Sequence, residues 1–390
     1  MCLRKIILVI LALVVSPCVS LKNYSSALGG SILFYDAQRS GPLPANNPIK
    51  WRGDSALSDC VVGGWYNGAD FLKFGLPMAS SAEFLLWSLY KWKDAYVGAG
   101  QLTQMYDMVK WPLDYFLKAW NPTKQELVYQ VGEENVEYAY WGRPEDMTHP
   151  RPCKVASAAH PVKQAHLVEY LNAAKNFVSH DSSWGLTLES KDLSCQQLLF
   201  EETQDSTYRR SITDYFNNWL PGGTVQYTPC GLAWRMKWGP LGTAAKSAFL
   251  ALLAADSGIE QDRYRKWAVE QINYILGDNP HNGGCFSYEV GYSSKYPLQP
   301  DHRAASCPDR PAPCGQEQSS STEPNPQILT GAIVGGPDEY DQYVDSRPDW
   351  VHNEVQVDYN AGFQAALAGI VHLQNVNLFP ATNNKCPCNQ

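Results

Sequence analysis

Four acids stand among aromatics in the segment Tyr343–Leu373 (YVDSRPDWVHNEVQVDYNAGFQAALAGIVHL): Asp345, Asp349, Glu354 and Asp358 beside Tyr343, Trp350 and Tyr359. Those residue types together suit sugar chemistry. Rings stack on pyranose faces, and an apolar wall raises a carboxyl pKa until the group can donate a proton near neutral pH. Taken alone, the segment reads better as an acidic loop capping a helix. A second stretch, Gly63–Ala79 (GGWYNGADFLKFGLPMA), sets Asp70 in a loop of glycines and aromatics. Two acids far apart in sequence, each framed by rings, fit a glycosidase with one carboxyl as proton donor and another as base.

The elements that must hold these acids are helices. Tyr359, Phe363, Ala366 and Ile370 recur at helical spacing, with Asn360 near the start of the turn. A short first helix is expected over Ala27–Ala37. Periodic apolar residues predict others over Ser80–Tyr96, Leu102–Trp120, Val162–Val178, Tyr208–Leu220, Thr243–Ala255 and Gln261–Leu276. Pro112 should kink or split the Leu102–Trp120 helix. Strand signals are few and short. Long aromatic and Gly/Pro loops separate the helices, so helices packed in pairs with functional loops at one end are the natural all-α solution. Gln316–Pro326 (QEQSSSTEPNP) reads as a polar surface loop, and the Cys-containing tail 381–390 carries no core pattern.

Composition narrows the partners. The chain has 390 residues, 44% hydrophobic and 18% charged, enough for a large core. Its formal charge of −8 and lack of a basic run exclude nucleic acid, and an acidic surface repels acidic polymers. A neutral polysaccharide meets no such objection. Arg4 and Lys5, the apolar run Ile6–Val15 and the small residues around Ser20 read as a signal peptide over 1–20. No later apolar run is long enough to span a membrane. The expectation is a secreted, extracellular monomer with its catalytic domain over 21–380, and Asn23-Tyr24-Ser25 is a glycosylation acceptor. Nine cysteines remain after the signal, an odd number, so at least one is free or intermolecular. Cys307 and Cys314 should close a short Pro-rich loop. No spacing points to zinc, and no cofactor is called for.

Ordered strings along the chain carry a resemblance. FYDAQRSGPLP (Phe34–Pro44), WRGDSAL (Trp51–Leu57), the GGWY…KFGLPMA run and YWGRPEDM (Tyr140–Met147) come first. NNWLPGGTVQYTPCGLAW (Asn217–Trp234), QINYILGDNP (Gln271–Pro280), DHRAASCP (Asp301–Pro308) and the acidic C-terminal segment follow. From about Phe34 to Leu373 the chain resembles the endoglucanases of glycoside hydrolase family 9, particularly the animal type. The resemblance implies an (α/α)6 barrel with long active-site loops and a cleft across one end. It implies inverting hydrolysis of internal β-1,4 bonds in cellulose or a related β-glucan, with the two carboxyls about 6.5–9.5 Å apart to admit a water. Glu354 matches the general acid and Asp70 the general base. Asn67 would help orient the water. Trp65, Tyr66 and Trp141 would form aromatic platforms, while Arg303, Tyr359 and His302 would steady the sugar.

Several positions depart from the family pattern. The family's D-A-G-D reads Asn67-Gly68-Ala69-Asp70, so one water-gripping acid has become an amide. Glu137-Tyr138 replaces an Asp-His pair, Asp301 replaces a substrate-contacting His, Gly242 replaces an Arg, and Leu188 stands for a Trp. Between Lys154 and about His166 the family carries several dozen more residues, including two helices. Their loss would leave apolar faces uncovered, at about 25 cal/mol per Å², and an incomplete barrel. The departures together keep a second possibility open: a β-glucan-binding homologue with an impaired site.

Overall fold

In the computed structural model, described over residues 22–157, 175, 178, 185–188 and 190–388, two helices that are apolar on nearly every side stand at the centre. These are α8 (Pro240–Asp256) and α11 (Val357–Asn375). Every residue of α8 from Pro240 to Ala255 is buried, and α11 is buried from Val357 to Leu373 except at Tyr359 and His372. Helices without a polar face belong inside a protein. Small residues let them approach: a methyl group on Gly362 would lie 2.5 Å from Lys246 Cγ, and one on Gly369 2.7 Å from Leu252. Lys246 and Asp358 form an ion pair between the two helices.

Around this pair pack α1 (Tyr24–Ala37), α2 (Gly75–Lys91) and α3 (Lys93–Gly98) on α11, and α9 (Gln261–Ile275) on α8. Beyond them lie α4 (Leu102–Ala119), α6 (Asp192–Thr203) and α7 (Ser206–Trp219), with the short helices α5 (Glu134–Ala139) and α10 (Trp350–Asn353) in the loops. Each long helix begins for a local reason where one is visible. Asn23 Oδ1 accepts the Ser26 N–H to cap α1, and Asp205 Oδ1 accepts the Thr207 N–H to cap α7.

Most expected helices form within a few residues of their predicted bounds. Three differences stand out among the described residues. The Ser80–Tyr96 segment starts earlier, at Gly75, and breaks at Trp92, whose indole donates to Asp256 at 2.7 Å. The Leu102–Ala119 helix runs through Pro112 without splitting, because a proline there forfeits a single intrahelical bond within a long helix. Helix α6 was not expected. The predicted signal peptide lies outside the described residues. So does the predicted Val162–Val178 helix, apart from Lys175 and Val178, and most of the Lys154–His166 junction.

The strands are few. β1 (Lys73–Phe74), β2 (Trp120–Asn121), β3 (Glu126–Val131) and β4 (Cys153–Ser157) make an antiparallel sheet centred on β3, and β5 (Gln226–Tyr227) pairs with β6 (Ala233–Trp234). Disulfides join Cys60 to Cys153, Cys230 to Cys386, Cys285 to Cys388 and Cys307 to Cys314. The short Cys307–Cys314 loop therefore closes as expected, and among the described residues Cys195 is the unpaired thiol.

Candidate active site

Three backbone segments meet to make one cleft. The early loop, residues 63–74, is anchored at its base where Trp65 bridges Arg39 and the Tyr66 N–H donates to Gln38 O. Its tip closes on itself: the Asn67 N–H donates to Leu72 O, and Asp70 Oδ1 accepts the Leu72 N–H at 2.9 Å. The late loop follows the single turn of α10, where the Glu354 N–H donates to Trp350 O before the chain extends through Val355 and Gln356 into α11. The third segment, Asp301–Cys307, lies between them. The Asp301 N–H donates to Asn353 O at 2.9 Å, and the Arg303 N–H donates to Ala69 O at 3.1 Å.

The early and late loops touch backbone to backbone. Gly68 bridges Gln356, and the Val357 N–H donates to Asn67 O at 2.9 Å. A methyl group on Gly68 would lie 2.0 Å from Val355 O, so only glycine fits. This contact brings Asp70 and Glu354 to one cleft of about 850 Å³, lined also by Asn67, Phe74, Tyr138, Trp141, Leu188, Asp301, Arg303, Arg347, Trp350 and Gln356.

Its electrostatics separate the two carboxyls. Burial, then the charges of Asp301 and Asp70, push Glu354 up to about 8 against the opposing pull of Gln356 and Arg303. Glu354 thus carries a proton at neutral pH. Asp70 is also raised by burial, but Arg303 and the Leu72 N–H pull it back. Burial lifts Asp301 to about 6. The same cleft therefore treats its carboxyls differently, raising Glu354 furthest while Arg303 and a backbone N–H oppose the rise at Asp70.

Arg303 is held in place rather than left free. Its Nε donates to Tyr140 O at 2.9 Å, and its guanidinium lies 5.2 Å from the Trp141 ring. Trp141 in turn donates from Nε1 to Ser306 Oγ at 2.9 Å, leaving its ring on the cleft wall.

Three expected sugar contacts stand corrected. Trp65 is wholly buried against Tyr35, with ring centroids 4.6 Å apart, and Tyr66 packs on Phe71 in the core. Neither presents a face to a sugar. His302 is also buried: its Nδ1 accepts the Ala305 N–H at 3.0 Å, and burial lowers its pKa to about 3, so it is a neutral structural ring. Burial, then nearby Glu354 and Asp358, raise the Tyr359 hydroxyl, but its ring packs on Gly239 and Gly242. A side chain at Gly242, where the family places an Arg, would meet Tyr359 at about 2.9 Å.

The structure gives Trp350, one of the rings among the acids, a partner and adds a loop to the cleft. Trp350 is 53% exposed and lies on Trp238, with centroids 4.7 Å apart and an interplanar angle of 30°. Trp350 lines the cleft, with the half-buried Trp238 ring behind it. The polar loop Gln316–Pro326 is not mere surface. Arg347 donates to Gln318 O, Ser321 O, Glu323 O and Asn325 Oδ1, and so folds the loop until Ser319 and Ser320 line the cleft. A lone Arg at a Ser-Arg-Pro turn gives no sequence signal of that role.

With this geometry in place, comparison with known proteins decides the family. The model of glycosyl hydrolase family 9 matches residues 24–174 and 163–367. The chain belongs to glycosyl hydrolase family 9. It is 33% identical to Endoglucanase A of Bacillus pumilus over 90% of this chain and 66% of that protein, so it spans just under two thirds of that relative's length. It is 29% identical to Endoglucanase 15 of Arabidopsis thaliana over 94% of this chain and 98% of that one. The solved structure of the endoglucanase from the termite Nasutitermes takasagoensis superposes with a TM-score of 0.82 at 34% identity, over 91% of this chain and all of that one. Endoglucanase CelQ of Clostridium thermocellum, solved with cellotetraose, superposes with a TM-score of 0.80 at 29% identity, over 93% of this chain and 72% of that one. The fold of this family 9 chain is the expected (α/α)6 barrel.

Proposed function

We propose that the chain is a secreted endo-β-1,4-glucanase that hydrolyses internal bonds of cellulose or a related β-glucan with inversion at the anomeric carbon. The observation that carries this reading is the cleft itself, where Glu354 is raised to about 8 and Asp70 faces the same space under the restraint of Arg303. A glucan chain lies along Trp141 and the Trp350–Trp238 pair. Glu354 gives its proton to the glycosidic oxygen, and Asp70 takes one from a water that attacks the anomeric carbon from the other face. Asn67, which lines the cleft beside Asp70, helps orient that water. Endoglucanase CelQ, solved with cellotriose and with cellotetraose, supports a β-1,4-glucan as substrate. Four disulfides support an oxidising, extracellular compartment.

Reducing-sugar release from carboxymethyl cellulose tests the assignment. Glu354→Gln is expected to lose about 10²–10⁴-fold in kcat, the range of one acid–base group. Proton NMR of the first product should show the α-anomer. A Glu354→Gln enzyme with wild-type turnover, or a β-anomer as first product, overturns the reading. Oligosaccharide binding without turnover in the wild type would identify a glucan-binding protein instead.

A further inference from the structure

Asp301 is the cleft's third acid, and the two-carboxylate reaction leaves it without a task. Its backbone forms an isolated parallel bridge with Glu354, and both residues line the one cleft. Its Oδ1 is buried and has no hydrogen-bond partner. The nearby cations do not quench it by direct bonding. Arg303 spends its Nε on Tyr140 O and its flat face on Trp141, and Arg347 donates to the Gln316–Pro326 loop. The remaining groups around Glu354 are Asp70 from the early loop, Tyr138 from α5, Tyr359 from α11, and Gln356, which donates to the carboxyl. Of these, Asp70 and Asp301 are the acids whose charges oppose ionisation of Glu354, and Asp70 is committed to the water.

We infer that Asp301 is a positioning residue for the proton: its carboxylate, paired through the backbone with Glu354, keeps the acid protonated and extends the enzyme's working range above neutral pH. The inference rests on the reading of Glu354 as the general acid. A negative charge a few ångströms from a carboxyl in a desolvated cleft opposes its ionisation. Asp301, lifted to about 6, is already ionised at the pH where Glu354, at about 8, would release its proton. The sign follows. The rate falls as Glu354 deprotonates, so loss of the Asp301 charge moves that fall to lower pH.

Two readouts test it on the full chain. The first is the infrared stretch of the protonated carboxyl, titrated through pH 6–10 (a range on the order of the raised acid's titration) and assigned to Glu354 by its absence in Glu354→Gln. The second is the alkaline limb of kcat/KM on a soluble cello-oligosaccharide. In Asp301→Asn both midpoints are expected to fall by about one pH unit. Asp301→Glu, which keeps the charge, should hold both near wild type, and Asp301→Ser gives a second neutral variant should the amide disturb the loop. An infrared midpoint that stays in place in both neutral variants overturns the inference. A midpoint that moves while the kinetic limb stays overturns instead the role of Glu354 as the acid.

Discussion

In the proposed mechanism Asn67 takes the place of one of two water-gripping acids, and its placement comes from the backbone rather than from its own amide. Its N–H donates to Leu72 O, and its carbonyl accepts the Val357 N–H, so both sides of the residue are fixed. An acid substituted here would occupy the same place and add the missing charge. Asn67→Asp is therefore expected to raise kcat about tenfold, a fraction of the ~10²–10⁴ that acid–base groups supply. Steady-state kinetics on a soluble cello-oligosaccharide would check it, and an unchanged kcat would mean that orientation without charge suffices. At this scale the sequence was informative about identity and poor about direction. Asp70, Glu354, Asn67, Trp141 and Arg303 line the cleft, whereas Trp65, Tyr66 and His302 share the same strings and point into the core. A motif fixes residue types in order. Which side of an extended loop faces solvent is set by what packs beneath it, here Tyr35, Phe71 and Gln38.

The contact that turns two loops into one site is Gly68. Its neighbours on the late loop are backbone atoms, Val355 O at 2.0 Å and Gln356 Cα at 2.8 Å from where a methyl would stand, and backbone gives way only if a whole loop moves. Gly68→Ala should separate the loops that carry Asp70 and Glu354 while leaving the helices intact. Misplacement of reacting groups by about 1 Å can cost ~10²-fold. The expected outcome is a loss of that size in kcat/KM with an unchanged far-UV circular dichroism spectrum, and a stability loss of about 1–3 kcal/mol from overpacking. Wild-type kcat/KM in this variant would show that the loop contact does not set the geometry. Helices were legible wherever a stripe or an unbroken apolar run marked them, as in α4, α8 and α11. α6 carries no legible stripe because it buries Gln196 and Gln197 beside Leu193, Leu199 and Phe200. The two-residue strands are too short to carry a period at all.

At the scale of the molecule, the C-terminal tail proves to be part of the body. It shows no apolar pattern because it is held by covalent and polar bonds instead. Cys386 and Cys388 reach Cys230 and Cys285, across separations of 156 and 103 residues. The Asn383 N–H donates to Glu270 on α9, and the Cys388 N–H donates to Asp278, which also pairs with Lys22 ahead of α1. Both ends of the described chain therefore meet at Asp278. Cross-links over such long loops restrict the unfolded chain strongly, and each contributes about 2–4 kcal/mol. Replacing Cys386 and Cys388 together by serine should lower the thermal transition by several degrees under oxidising conditions. Turnover at room temperature should hold, because among the described residues none that lines the cleft is bonded to the tail. Calorimetry beside an activity assay separates the two effects. A variant that melts like wild type would show that the polar bonds of the tail suffice, and one that loses turnover while folded would tie the strap to the cleft.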